Sequence, residues 1–158
     1  MAVQTSYGYT TAKGVAGGIF DMSPYEANSF AMGEKTFFGM YVARDTSKEN
    51  TVKLAASAAD VAKGEGIVLW RSHEVDADGA TYLSAKETAS VMRYGRCWAK
   101  VALGDGETIA AGDAVYVITS GDNKGCLTNA SSDNTAVSNA KFIGANDGAL
   151  APVELAFN

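Results

Sequence analysis

Apolar and polar residues alternate in short bursts along most of this chain, and turn residues separate the bursts. In "TFFGMYVA" (36–43) a period of two puts Phe38, Met40 and Val42 on one face. "TVKL" (51–54) alternates in the same way, while "GIVLW" (66–70) is continuously apolar, as a strand covered on both faces should be. "SVMRYGRCWAKVAL" (90–103) reads as one long strand or two, bent at Gly95. Further short runs fall at 113–119, 124–128, 140–144 and 150–157. Clusters such as "GDGE", "AGD", "SGDNKG" and "NDG" punctuate them, supplying the positive φ and local hydrogen bonds that turns need. The pattern predicts an all-β fold, a single small β-barrel or jelly-roll-like sandwich. Pro152 has no N–H for a ladder, so it is expected at a sheet edge or a strand start.

Helical signal is thin. "ASAADVAKG" (56–64) allows two turns ending at Gly64, and Ser84 with Glu87 fits a capping box around a single turn. The first 35 residues break the pattern. Tyr7, Tyr9, Phe20, Pro24, Tyr25 and Phe30 sit among Gly, Ser, Thr and Ala with no sustained period, apart from a short extended stretch near Val15–Phe20. Many aromatics without a pattern suit a segment that packs onto something else. The chain is therefore divided into an extended N-terminal arm, 1–35, and a β domain, 36–158.

Charge narrows the partners. At 158 residues with a net charge of −5, the chain suits one domain and lacks the basic face that a phosphate backbone or an anionic membrane attracts. No apolar run reaches the length of a membrane span, and the start has no apolar signal core, so synthesis in a cytoplasm is expected. Cys97 and Cys126 are then expected as free thiols.

The candidate chemistry thins out under inspection. Glu74, Asp76, Asp78 and Gly79 match the start of a calcium loop, but the twelfth position, which needs a bidentate Glu, is Ala85. "GDGETIAAGD" (104–113) has Ile109 where a dinucleotide fingerprint needs Gly, and "GDNKG" (121–125) lacks the Lys-Ser/Thr ending of a phosphate loop. "GDAVYVITSGDNKGCLT" (112–128) is best read as a structural hairpin. His73 is the one histidine and has no nucleophile motif around it. Asn129-Ala130-Ser131 is a sequon without an export signal. No acid is placed beside a base, so no enzyme, metal or cofactor is expected. One surface stands out. Strand alternation puts Met92, Tyr94, Arg96, Trp98 and Lys100 on one face, a composition suited to a protein interface and equally to a wet face with long side chains lying across it.

The order of segments goes further. "GVAGGIFDMSPYEANSF", "FFGMYVARDT", "GRCWAKV", "AAGDAVYV", "GCLTNA" and the closing "NAKFIGANDGALAPVELAF" together resemble the structural cement, or capsid decoration, proteins of tailed bacteriophages. The likeness spans nearly the whole chain, except 55–90. It implies a non-enzymatic protein on the outer surface of the virion, bridging major capsid protein subunits and reinforcing the shell as a homo-oligomer, dimer or trimer. Tyr7, Tyr9, Phe20, Pro24 and Tyr25 are the expected arm anchors, with Tyr94, Arg96 and Trp98 as further contacts. The alternative is a receptor- or glycan-binding module of a phage tail or fibre, with Trp70 or Trp98 stacking on sugars.

Overall fold

A computed structural model describes residues 14–71, 77, 79 and 81–156. Its described strands are β1 (Glu26–Met32), β2 (Thr36–Phe37), β3 (Tyr41–Arg44), β4 (Thr51–Leu54), β5 (Gly64–Val68), β6 (Tyr82–Leu83), β7 (Thr88–Lys100), β8 (Ala114–Val117), β9 (Leu127–Thr128), β10 (Thr135–Phe142) and β11 (Leu150–Leu155). The helix α1 (Ala58–Val61) is capped by the Ser57 side chain, which accepts from the Asp60 N–H. It is shorter than the two turns expected and stops before Gly64. The Ser84–Glu87 capping pair forms a single turn: Ser84 donates its N–H to the Glu87 carboxylate and accepts from the Glu87 N–H.

β7 is the spine. Its first half lies between β1 and β5, and the ring β1–β4–β3–β5–β7 closes through the antiparallel β1–β7 pairing. Its second half carries β11, followed by β10, β8 and β9. That sheet curls back to β7, where Val101 bridges Leu127 and the Ala102 N–H donates to the Leu127 carbonyl at 3.0 Å. The fold is thus a closed small β-barrel with a second curled sheet sharing one strand.

Packing explains the sequence pattern. Phe30, Met32, Phe38, Met40, Val42, Val52, Leu54, Val68 and Val91 fill one core. Tyr41, Ala43, Ile67, Leu69 and Met92 pack on the other side of the barrel wall against Cys97, Val117, Leu127, Phe142 and Val153. Both faces of β5 are therefore buried, which is why "GIVLW" has no polar alternation. Phe38, Met40 and Val42 do share a core, although Gly39 (φ +80°) breaks the predicted strand into β2 and β3. The 112–128 hairpin joins the two cores. The Tyr41 N–H donates to the Gly125 carbonyl, Cys126 enters the barrel core, and Lys124 pairs with Glu34 at 3.2 Å.

Three expectations need correction. No strand was expected before Thr36, yet β1 forms an integral wall of the barrel: inward positions Phe30 and Met32 are buried while its outer positions, Ala27, Ser29 and Ala31, are small. Pro152 lies inside β11, paired opposite Trp98, rather than at an edge or strand start. Its carbonyl accepts from the Ile143 N–H, so its missing N–H also faces β10, at the point where that strand ends. Third, β7 runs unbroken through Gly95, but Arg93 bulges out of the pairing between Glu26–Tyr94 and Ala27–Met92. The extra residue flips the alternation. Met92 points into the core and does not share a face with Tyr94, Arg96 and Trp98.

Candidate interaction surface

Residues 14–25 lie along the second half of β7, on the same edge as β1. The Gly17 N–H donates to the Trp98 carbonyl at 2.7 Å, the Trp98 N–H to Gly18 at 2.8 Å, and the Phe20 N–H to Arg96 at 2.9 Å. Gly17 is required here. Its φ is +75°, and a Cβ would stand 2.5 Å from the Val68 carbonyl oxygen. A Cβ on Gly14 would meet the Trp98 ring at 2.2 Å, so a bare backbone passes over the indole. Phe20 covers the same ring, with centroids 5.5 Å apart.

Between this segment and β1 the chain loops outward from Asp21 to Tyr25. Asp21 accepts the Ser23 N–H at 2.9 Å and an Arg96 N–H at 3.1 Å. Arg96 also donates to Glu154 at 2.6 Å, and Lys141 reaches the second Glu154 oxygen at 3.3 Å. The hydrogen bonds from Ser23, with Arg96 behind them, hold the Asp21 carboxyl below the usual carboxylate range. Arg96 does the same for Glu154 against a smaller cost of burial, and Glu154 and then Asp21 push the guanidinium up. This alternating chain of charges ties loop to sheet. Two open recesses flank the loop. One, about 300 Å³, is lined by Ser23, Pro24, Tyr94, Arg96, Glu154 and Leu155. The other, about 590 Å³, is formed by the loop itself, from Ile19 to Tyr25. The second recess is lined by the exposed apolar side chains of Ile19, Met22 (fully exposed at 101%) and Tyr25, and Val15, earlier in the segment, is also exposed.

The expected site residues divide accordingly. Phe20, Pro24, Tyr25, Tyr94 and Arg96 gather around the loop, brought together because the segment and β1 share one edge of β7. Trp98 is buried beneath its own chain and offers no platform for a sugar, whereas Trp70 is exposed. Tyr7 and Tyr9 lie outside the described residues, as do His73, Glu74, Asp76 and Asp78. The sequence reading missed Val15, Ile19 and Met22, along with the partners Asp21 and Glu154. Val15 and Ile19 lay in the short extended stretch already noted, but Glu154 is 58 positions from Arg96, and no local pattern links them.

Other candidates prove structural. Asp113 accepts the Ala110 N–H and an Asn129 amide N–H, both at 2.9 Å. The same Asn129 amide nitrogen donates to the Thr108 carbonyl at 3.0 Å, so the sequon nitrogen is committed to the fold. Cys97 and Cys126 are free and buried in different cores, and burial pushes the Cys97 thiol up to about 12.

The fold and this surface define a β-barrel protein that carries an exposed apolar loop tied to the sheet by a chain of charges. The family described as "Structural cement protein (E217 gp24/Pam3 gp6)" matches residues 3–156, and the chain belongs to this phage cement family. Among solved structures, a chain of the capsid of Myoviridae phage XM1 superposes with a TM-score of 0.71 at 22% identity, covering 98% of this chain and 97% of that one. That likeness carries the fold. No curated protein matches the chain.

Proposed function

We propose that this protein binds the outer surface of a phage capsid and stabilises the shell by bridging major capsid protein subunits, without catalysis. Its membership of the cement family supports this, and the exposed apolar side chains of Ile19, Met22 and Tyr25, which line one recess, are the observation that carries the contact surface. Contiguous apolar side chains that a chain leaves in water mark an interaction site. Phe20, Pro24, Tyr25, Tyr94 and Arg96 belong to the same surface, and Tyr7 and Tyr9, outside the described residues, are proposed as further anchors. Each bridging copy adds a contact that must break before neighbouring subunits can part, and symmetry repeats it around the shell. The acidic chain, net −5, suits an outer position away from the packaged genome.

The test is to mix purified protein with heads lacking it and image them. Ordered density at fixed outer lattice positions is expected, together with a higher rupture temperature than bare heads. Absent or random binding overturns the reading.

A further inference from the structure

A strand edge stands open beside the Asp21–Tyr25 loop. Ile19 and Cys97 form a wide antiparallel pair, because the hydrogen bonds on either side of it join Gly18 to Trp98 and Phe20 to Arg96. The N–H and C=O of Ile19 therefore point away from β7. β1 repeats the arrangement. The Ser90 carbonyl is taken by the Leu69 N–H on the β5 side, so its partner Ser29 directs its own backbone groups outward. Two contacts agree: Asn50 donates its side-chain amide to the Ser29 carbonyl at 3.5 Å, and its carbonyl accepts the Ala31 N–H at 2.9 Å on that outer side. Ala27, two residues earlier, faces the same way. β4 meets β1 only at Ala31 and Met32. Among the described residues, the N–H and C=O of Ile19 and Ala27 and the N–H of Ser29 have no partner.

Native sheets usually shield such an edge with charge, proline or a covering segment. Here residues 27–29 read Ala-Asn-Ser, and Ala27 and Ser29 are exposed. Two carboxylates stand near this edge, each with a cation beside it: Glu26 with Arg93 at 4.0 Å, and the exposed Glu49, which follows the exposed Lys48 on the turn before β4. A second copy would bring the same net charge of −5. Unpaired backbone donors and acceptors select an extended chain, and the net charge of −5 selects a basic one.

We propose that the edge Ile19–Ser29 takes an extended, net-basic segment of another protein as an added strand, beside the apolar contacts of Met22 and Tyr25. This rests on the cement reading, and the segment then belongs to the capsid subunit.

Two substitutions test it on heads lacking the protein. Ser29→Pro removes one outward N–H and no internal hydrogen bond. Ser29→Lys keeps every backbone bond and repels a basic strand. With melting temperature as the control for folding, both should weaken head binding at least tenfold. In wild-type protein, the Ile19, Ala27 and Ser29 amides should gain protection from hydrogen exchange on decorated heads. If Ser29→Lys decorates heads as tightly as wild type and these amides stay unprotected, strand addition is wrong while the cement reading stands. If the wild type self-associates, the variants are monomers, and head binding is unchanged, the edge is a copy-to-copy contact and the proposal fails. If the wild type leaves heads bare, the cement reading falls and takes the proposal with it.

Discussion

At Gly17, backbone conformation and steric room act together. The φ of +75° is strained for any L side chain, and a Cβ would press on the backbone at Val68 and Trp70. Gly106 has a similar φ of +78° with nothing near its missing Cβ, so it isolates the conformational part. Gly17→Ala should cost about 1–3 kcal/mol and Gly106→Ala distinctly less, read from urea midpoints. If the two cost the same, the close approach at Gly17 contributes nothing. The cysteines give a second check at this scale. A thiolate is the reactive species, and burial disfavours it at both positions. Neither thiol should react with a disulfide reagent in the native protein, and both should react once urea unfolds it.

At the scale of elements, the 14–25 segment is held to the sheet by charge as well as by backbone hydrogen bonds. Asp21 and Glu154 both have depressed pKa values, so they contribute stability when ionised. That contribution is complete above the unfolded carboxylate range and is lost as pH falls through the lowered folded values. The groups facing one another here are Asp21, Arg96, Glu154 and Lys141. Acid should therefore loosen the segment and uncover Trp98, changing its fluorescence in a Trp70→Phe background. Arg96→Met should move that change to higher pH, towards the ordinary carboxylate range. An unmoved transition would rule out the relay as the latch. Strand boundaries also set where the arm can be cut. Deleting 2–30 removes most of β1 and opens the ring, whereas deleting 2–13 leaves every described sheet pairing in place. The longer deletion should lower the melting temperature sharply and the shorter one little. Head binding by the shorter variant then measures what Tyr7 and Tyr9 contribute.

For the whole molecule, two cores lie on either side of one barrel wall. The 112–128 hairpin pins them together, since Cys126 sits in the barrel core while Leu127 sits in the other. Cutting the Lys124–Glu34 pair with Lys124→Ala should cost little, because an exposed pair contributes about 0–1 kcal/mol. Leu127→Ala removes a fully buried side chain and should cost about 2–5 kcal/mol in chemical unfolding. Comparable losses would mean the hairpin is held by its charge rather than its packing.

Period-two alternation, glycine turns and continuously apolar runs were enough to determine an all-β fold, because these patterns reflect which faces each strand buries. The ordered segments were enough to point to the phage cement family. Tertiary structure decided the rest. The wall strand β1 looked patternless because only Phe30 and Met32 face inward while its outer side meets water and an open edge. A bulge at Arg93 reversed which side chains of β7 lie together, and one extra residue leaves no trace in composition. The proposed contact surface joins residues 19–25 to Tyr94, Arg96 and Glu154. Such pairings depend on which strands share an edge, and local periodicity carries no information about that.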